Sequence, residues 1–600
     1  MRTLIALAVA CLAVALLTAS SARAVTEPAR SADELVDSVG VNVHLHYQGT
    51  VYDTAFDGVI WPKLVESGVR HLRDGAATYP QAGPATFFYR RCRALAAAGM
   101  RFDFVTTFQT ANVAATDYSK LDDVYRWCDS AVDAFEGANE PDIQPLPPGS
   151  ADWRTQTIAS QQALSQAVKG NATTAAVPVI GPSIVWSPRD VGDISGFLDF
   201  GNLHPYPGGT CPACGDVYGQ TLDTLLPEHR LPSADKPMVM TETGYHNAVG
   251  AQGVDHRPVS ELAAGKYVPR LLLEYFNRGF ARTYLYELID EQPDPDRTHP
   301  DADFGLLRND GSEKPAYRAL TSLLGLLRDP GPTFTPGSLT YTLDGGGDAL
   351  HHTLLEKRDG TFMLALWQER SSYDTGARPN APDDPAARRD LTNPDVPITV
   401  GFDESVDSVR IHRLDDRGQL STTSAPIESH ALALAVGDTV TVLEIPRPGC
   451  PDCSASSNVA PRLRHVRITP RVITRQRPAP ARPSGQRRRR RSRFLYTLSE
   501  RATVMIAIER RLRGRLMRRA RTRHCVAARH TRARSRRCWR SQPMGVLRAL
   551  ERAGRQSMPF AGRVGRRALP VGRYRARVTA VDSQGARSRV HRVRFRILRH

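Results

Sequence analysis

The chain has 600 residues, 41% of them hydrophobic, and a formal net charge of +18. That hydrophobic share is ordinary for a globular protein, and the length is too great for a single core, since domains hold about 100–200 residues and α/β barrels about 250. Residues 454–600 hold 43 Arg, no Lys and four acids, a formal +39, which leaves the rest of the chain at −21, so any partner implied by basicity belongs to the C-terminal part alone.

Residues 1–24 read as a signal peptide. Arg2 supplies the positive start, 4–17 is an apolar run, and Ala22-Arg23-Ala24 offers a cleavage site. The run is shorter than the roughly 20 residues a spanning helix needs, and no later segment is longer. We therefore expect an exported protein with no transmembrane segment, secreted and retained at the cell surface if the basic part finds an anionic polymer there. After Cys11 leaves with the signal, Cys92, Cys128, Cys211, Cys214, Cys450, Cys453, Cys525 and Cys538 remain. An even set suits an oxidising compartment. Cys211/Cys214 and Cys450/Cys453 look like small loop staples; zinc takes four ligands, and each pair stands apart from any second pair.

From residue 25 to about 330 short apolar runs alternate with helical stretches, the rhythm of βα units and a parallel sheet. Eight runs can be placed, at 39–44, 69–73, 102–106, 134–138, 179–184, 199–204, 238–241 and 283–288. Between them, 89–98, 161–168 and 268–276 carry apolar residues at helical spacing. Eight such units predict a closed (β/α)8 barrel (TIM barrel). An open doubly wound sheet is the other arrangement, but no Gly-rich phosphate turn follows the first run. Residues 333–448 change to short alternating strands and read as a β-sandwich, with 376–394 a long loop. Residues 449–492 are Pro-, Ser- and Arg-rich and read as a linker. Residues 493–600 resume strand-like patterning, with Arg592, Arg594 and Arg596 alternating with apolar residues, and read as a basic all-β module.

Two runs end in motifs that carry chemistry. The fourth leads into Gly137-Ala138-Asn139-Glu140-Pro141, and the seventh into Thr241-Glu242-Thr243-Gly244-Tyr245. Barrel active sites are built at the C-terminal ends of strands. Two carboxyls facing across that mouth are what glycoside cleavage requires: one protonated to release the leaving oxygen, one ionised to attack the anomeric carbon or activate water.

This pairing resembles the large clan of retaining glycosidases built on (β/α)8 barrels, the cellulase-like superfamily often called clan A. The likeness covers about residues 35–328. It implies Glu140 as general acid/base and Glu242 as nucleophile, Arg73 beside the nucleophile, Asn139 on a sugar hydroxyl, and His204 and Tyr206 after the sixth strand, with the Tyr206 hydroxyl donating to Glu242. Tyr286 stands where many members end the eighth strand in Trp, so no single family or sugar is implied. Phe304-Gly305-Leu306-Leu307 followed by Lys314-Pro315-Ala316-Tyr317 resembles the closing segment of such barrels. Trp186, Tyr245 and Tyr286 are aromatic candidates for stacking on sugar faces. Glu136, Asp142 and Glu287 read as spare solvated acids near the mouth.

The expected activity is hydrolysis of O-glycosidic bonds in a poly- or oligosaccharide, with no metal and no organic cofactor. The alternative is a catalytically silent carbohydrate-binding or envelope protein on the same fold. Residues 454–600 would hold an anionic cell-envelope polymer in preference to nucleic acid. The Arg-rich part resembles C-terminal β-modules of exported actinobacterial proteins.

Overall fold

The computed structural model describes residues 24–447, except 216–218, 254–255, 378–383 and 404–405, and residues 461–598, except 475–491, 500–501, 520–521, 528–535, 565–566 and 582–586. The expected signal peptide, apart from Ala24, lies outside the described residues, as do Cys450, Cys453 and the arginine run 487–491.

Eight strands form one parallel sheet: Val39–Asn42 (β1), His71–Gly75 (β2), Arg101–Val105 (β3), Val132–Glu136 (β4), Val179–Ile180 (β5), Gly201–Leu203 (β6), Met238–Thr243 (β7) and Arg282–Leu285 (β8). Their order is β5-β4-β3-β2-β1-β8-β7-β6. The two edges meet at the parallel bridge between Ile180 and Phe200, where the Gly181 amide donates to the Phe200 carbonyl at 2.8 Å. The sheet is therefore a closed barrel, and each of the eight expected runs carries one of its strands. Most positions of β1, β2, β4 and β7 are buried on both faces, which is why they read as apolar runs rather than alternating ones.

Helices Phe87–Ala96, Trp153–Lys169 and Glu261–Asn277 lie on the expected helical stretches. Asp152 caps the second by accepting from the Arg154 and Thr155 amides, and Ser260 caps the third through the Ala263 amide. Between β5 and β6 two short 3-10 turns, Pro188–Asp190 and Ser195–Phe197, stand in place of a helix. Disulfides join Cys92 to Cys128 and Cys211 to Cys214.

A four-stranded and a six-stranded sheet follow the barrel, with Leu364, Leu366, Val400 and Leu443 in the core between them. Residues 25–31, placed with the barrel on sequence, belong here instead. Strand Val25–Pro28 pairs antiparallel with the chain at Ser338 to Tyr341, and Arg30–Ser31 pairs parallel with Leu355 and Glu356. The barrel grips this layer through the fully buried ion pair of Arg270 with Glu369, at 2.9 Å.

The basic C-terminal part is all β, around Phe494, Val504, Ile506, Tyr574 and Phe595. It begins earlier than expected. Leu463–Thr469 pairs with Ser492–Leu498, and Val472–Thr474 pairs with His591–Leu598, so part of the stretch read as linker is strand. Val472–Thr474 is only three residues long, and Leu463–Thr469 exposes Arg464, His465, Arg467 and Thr469 out of strict alternation. The module also touches the barrel: the Arg548 guanidinium lies 4.0 Å from the centre of the Trp61 ring, and Arg587 pairs with Glu66 at 3.1 Å. No helix among the described residues is long and apolar enough to cross a membrane.

Candidate active site

The fourth and seventh strands deliver their glutamates through two glycines that nothing larger could replace. A Cβ on Gly137 would collide with the Gln161 side chain and approach Pro182 N to 2.9 Å, and one on Gly244 would strike the Tyr286 carbonyl. Just past Gly137, Glu140 adopts φ +46°, a left-handed conformation that costs a non-glycine residue about 1–3 kcal/mol and clusters at functional sites. Ser183 holds it there, its Oγ accepting from the Glu140 amide at 3.1 Å.

Arg73, midway along β2, organises the floor. It is buried, and its guanidinium forks onto Glu136 at 2.7 and 2.8 Å. It also donates to Glu242 Oε1 at 2.5 Å, Asn139 Oδ1 at 2.7 Å and Asn42 Oδ1 at 3.0 Å. Burial opposes its charge, but Glu136 and Glu242 hold the guanidinium firmly protonated. Bidentate, charge-assisted bonds of this kind are the strong ones. Glu136 also accepts from Asn202 Nδ2 and Thr241 Oγ1, each at 3.0 Å. Behind it sits Asp103, fully buried, its carboxyl pushed well above the usual range by burial and by the Glu136 charge. Arg73 makes no hydrogen bond to Asp103 and serves two carboxylates, Glu136 and Glu242.

Glu242 is held on both oxygens. Arg73 takes Oε1, and the Tyr206 hydroxyl donates to Oε2 at 2.9 Å. Glu140 Oε1 meets His204 Nδ1 at 2.8 Å, while His204 Nε2 meets Thr241 Oγ1 at 2.8 Å. The same Nδ1 is 3.7 Å from Glu242 Oε2, and a carboxylate oxygen of Glu140 lies within 4.8 Å of one of Glu242. Burial pushes Glu140 up, but the hydrogen bond and charge of His204, with Arg73 and His256, bring it below its ordinary value. His204 moves the opposite way: burial lowers it, and Glu242 and Glu140 raise it past that loss. One proton shared across the 2.8 Å contact can sit on the carboxyl or on the imidazole.

These groups open into a cavity of about 390 Å³ lined by Asn42, His44, Arg73, Asn139, Glu140, Tyr206, Glu242 and Tyr286, among others. That volume falls within the range of small-molecule sites, about 300–1,000 Å³. Of the residues singled out on sequence, Glu140, Glu242, Arg73, Asn139, Tyr206 and Tyr286 line the cavity, and His204 touches both glutamates from beneath. Two aromatic candidates do not line it. Tyr245 is buried against Tyr267 and donates to the Thr210 carbonyl at 3.0 Å. Trp186 is 67% exposed, outside the lining.

The acids read as spare are not solvated. Glu136 and Glu287 are fully buried. Glu287 accepts from the Tyr52 hydroxyl at 2.8 Å, and burial and Glu291 push its carboxyl well above the usual range. Asp142 accepts from the Val185, Trp186 and Ser187 amides, tying the loop after β4 to the loop after β5. Sequence reasoning missed Asn42, Thr241 and Asn202, whose only signal was their place as polar residues within the apolar strands β1, β7 and β6.

No family model matches the sequence, and no curated protein matches it. Solved structures are similar to it. They include a family 39 glycoside hydrolase from Bacteroides cellulosilyticus WH2, at 17% identity over 69% of this chain and 82% of that one, with a TM-score of 0.43. A glucosidase from Croceicoccus marinus is 14% identical over 71% of this chain and 98% of that one, with a TM-score of 0.46. A family 51 α-L-arabinofuranosidase from Bifidobacterium longum is 11% identical over 70% and 98%, with a TM-score of 0.41.

Proposed function

We propose that the chain is a secreted glycosidase that hydrolyses O-glycosidic bonds of a poly- or oligosaccharide with retention of configuration. The observation that carries the proposal is the approach of the Glu140 and Glu242 carboxylates to within 4.8 Å, oxygen to oxygen. Carboxyls about 5–5.5 Å apart suit double displacement, whereas inverting enzymes leave about 6.5–9.5 Å for a water. The two disulfides among the described residues support export.

In this reading the sugar lies in the cavity with its anomeric carbon facing Glu242. Arg73 and the Tyr206 hydroxyl each hold one oxygen of that carboxylate and aim it. Glu242 attacks the anomeric carbon while the Glu140–His204 pair gives its shared proton to the departing glycosidic oxygen. A glycosyl ester on Glu242 results, and the leaving group departs as a neutral alcohol. Glu140, now a carboxylate, takes a proton from water, which attacks the same carbon and frees Glu242. The Asn139 carbonyl oxygen is already occupied by Arg73, which leaves its amide N–H groups for the sugar 2-hydroxyl. The contact strengthens as charge develops on the ring.

The test is covalent trapping. A panel of activated 2-deoxy-2-fluoro aryl glycosides is expected to yield one sugar adduct, located by peptide mass analysis on the segment containing Glu242. Turnover of a non-fluorinated aryl glycoside with inverted first product would refute the proposal.

A further inference from the structure

The +39 charge of residues 454–600 is not spread evenly over the C-terminal module. One sheet face carries a ranked cluster of its arginines. Strands Ala502–Arg519 (β9), Gly572–Val581 (β10) and His591–Leu598 (β11) pair antiparallel in the order β9-β10-β11. On β10 and β11 apolar residues Tyr574, Ala576, Val578, Val593, Phe595 and Ile597 point into the core. The alternate positions face out, and all six between Arg573 and Arg577 and between Arg592 and Arg596 are arginine. The register sets them directly opposite one another: Arg573 faces Arg596, Arg575 faces Arg594, and Arg577 faces Arg592. Arg511 on β9 faces Arg573 from the other side.

Like charges directly opposite on neighbouring strands destabilise a sheet, and here three such pairs stand in succession. Of the two described acids in the module, Glu509 pairs with Arg575 at 2.5 Å and lies 3.8 Å from Arg577, while Glu551 accepts from the Tyr496 hydroxyl. Most of the face therefore has no internal counter-charge among the described residues. Alternate residues on a strand stand about 6.7 Å apart, and strands about 4.8 Å. The six guanidinium bases thus span roughly 13 Å by 5 Å, and Arg511 extends one corner to about 10 Å.

We propose that this face binds a linear, base-free polyanion of the cell envelope, a polyol phosphodiester whose repeating charges run across the rows of arginines. The planar guanidinium fork suits phosphate oxygens. Binding would replace arginine–arginine repulsion with ion pairs and keep the glycosidase beside polymers of the same surface. Nucleic acid carries the same phosphodiester charge but fits less well. Binding of single strands draws on aromatic platforms that stack the bases. The exposed aromatic of this face, Trp539, is already engaged by the Arg511 and Arg573 guanidinia at 4.9 and 5.7 Å from its ring centre.

The test measures affinity of the full chain for poly(glycerol phosphate) across a salt series. With six arginines engaged and about 0.7 counterion released per phosphate of a single chain, log Kd should rise with log salt at a slope of roughly 4. Arg573→Ser, Arg575→Ser and Arg577→Ser together should lower that slope by about 2 and weaken binding about tenfold or more at low salt. The triple change at Arg592, Arg594 and Arg596 on β11 should do the same. A control triple, Arg464→Ser, Arg467→Ser and Arg493→Ser, removes equal charge from the module's other sheet and should leave affinity unchanged. The β11 variant should melt no lower than the parent, because it removes like-charge pairs and leaves the Arg575–Glu509 ion pair in place. Three results would overturn the proposal: control and face variants losing affinity equally, face variants that fail to fold, or an oligothymidylate of equal charge binding more tightly than the polyol phosphate.

Discussion

Replacing Arg73 by Met removes the cation on which the floor of the site depends. The side chain fills similar space, but Glu136, which is fully buried, and Glu242 lose their common partner. Breaking a buried ion pair from one side costs about 3–5 kcal/mol, because the remaining charge stays buried and unpaired. In large domains a kcal/mol corresponds to roughly 2–4 °C in Tm, so a loss of about 6–20 °C is expected by differential scanning calorimetry at pH 7. The catalytic cost follows from two bonds, to Glu242 and Asn139. At about 1.5 kcal/mol or more each for charged partners, kcat/KM on an activated aryl glycoside should fall roughly 10²-fold or more, at 1.36 kcal/mol per tenfold. The decisive arm is the double variant Arg73→Met with Glu136→Gln. It deletes the stranded charge while keeping an oxygen for Asn202 and Thr241, and should recover more than half of the lost Tm without restoring activity. Additive losses in the double variant, or an Arg73→Met protein as stable as the parent, would refute the assignment of Glu136 as the charge that seats Arg73.

Three further outcomes are expected. His204→Gln should move the basic limb of the kcat/KM profile to lower pH. Glu140 and Glu242 hold His204 above its ordinary value against burial, so the shared proton survives to higher pH in the parent than on a carboxyl alone; a limb that stays or moves to higher pH contradicts the pairing. Cys92→Ala with Cys128→Ala, which opens a loop of sequence separation 36, should lower stability by about 3–4 kcal/mol by chain entropy, read as a fall in denaturation midpoint. Removing residues 454–600 should leave kcat on a soluble aryl glycoside of the same order, because the contacts at Trp61 and Glu66 lie outside the cavity lining; a folded but inactive truncation would contradict this.

The barrel was legible because strands buried on both faces leave apolar runs in the sequence, and each strand end marks a place at the mouth. That put Glu140, Glu242 and Arg73 on one rim before any coordinates. What lay beneath was not legible. Glu136 and Glu287 are acids near strand ends, and sequence gives no sign that one is paired with a buried guanidinium and the other with a tyrosine hydroxyl. Tyr245 and Trp186 fail for a related reason: an aromatic after a strand reads the same whether it packs, faces solvent or lines a cavity. The N-terminal strand Val25–Pro28 pairs more than 300 residues away, and nothing local encodes such a partner. In the basic module, Val472–Thr474 is only three residues long and Leu463–Thr469 exposes arginine, histidine and threonine out of strict alternation, so neither shows the pattern that revealed the last strand.

The double-displacement assignment is tested most directly by comparing Glu140→Gln and Glu242→Gln on an activated aryl glycoside with and without azide. A nitrophenolate leaves without a proton, so Glu140→Gln should still form the glycosyl ester and then stall for want of a base, a loss of general catalysis typically worth about 10²–10⁴-fold. Azide needs no base and should release a glycosyl azide of retained configuration, whereas Glu242→Gln should release no retained product on any substrate. An azide product of inverted configuration from Glu140→Gln, or parental rates from either variant, would contradict the account.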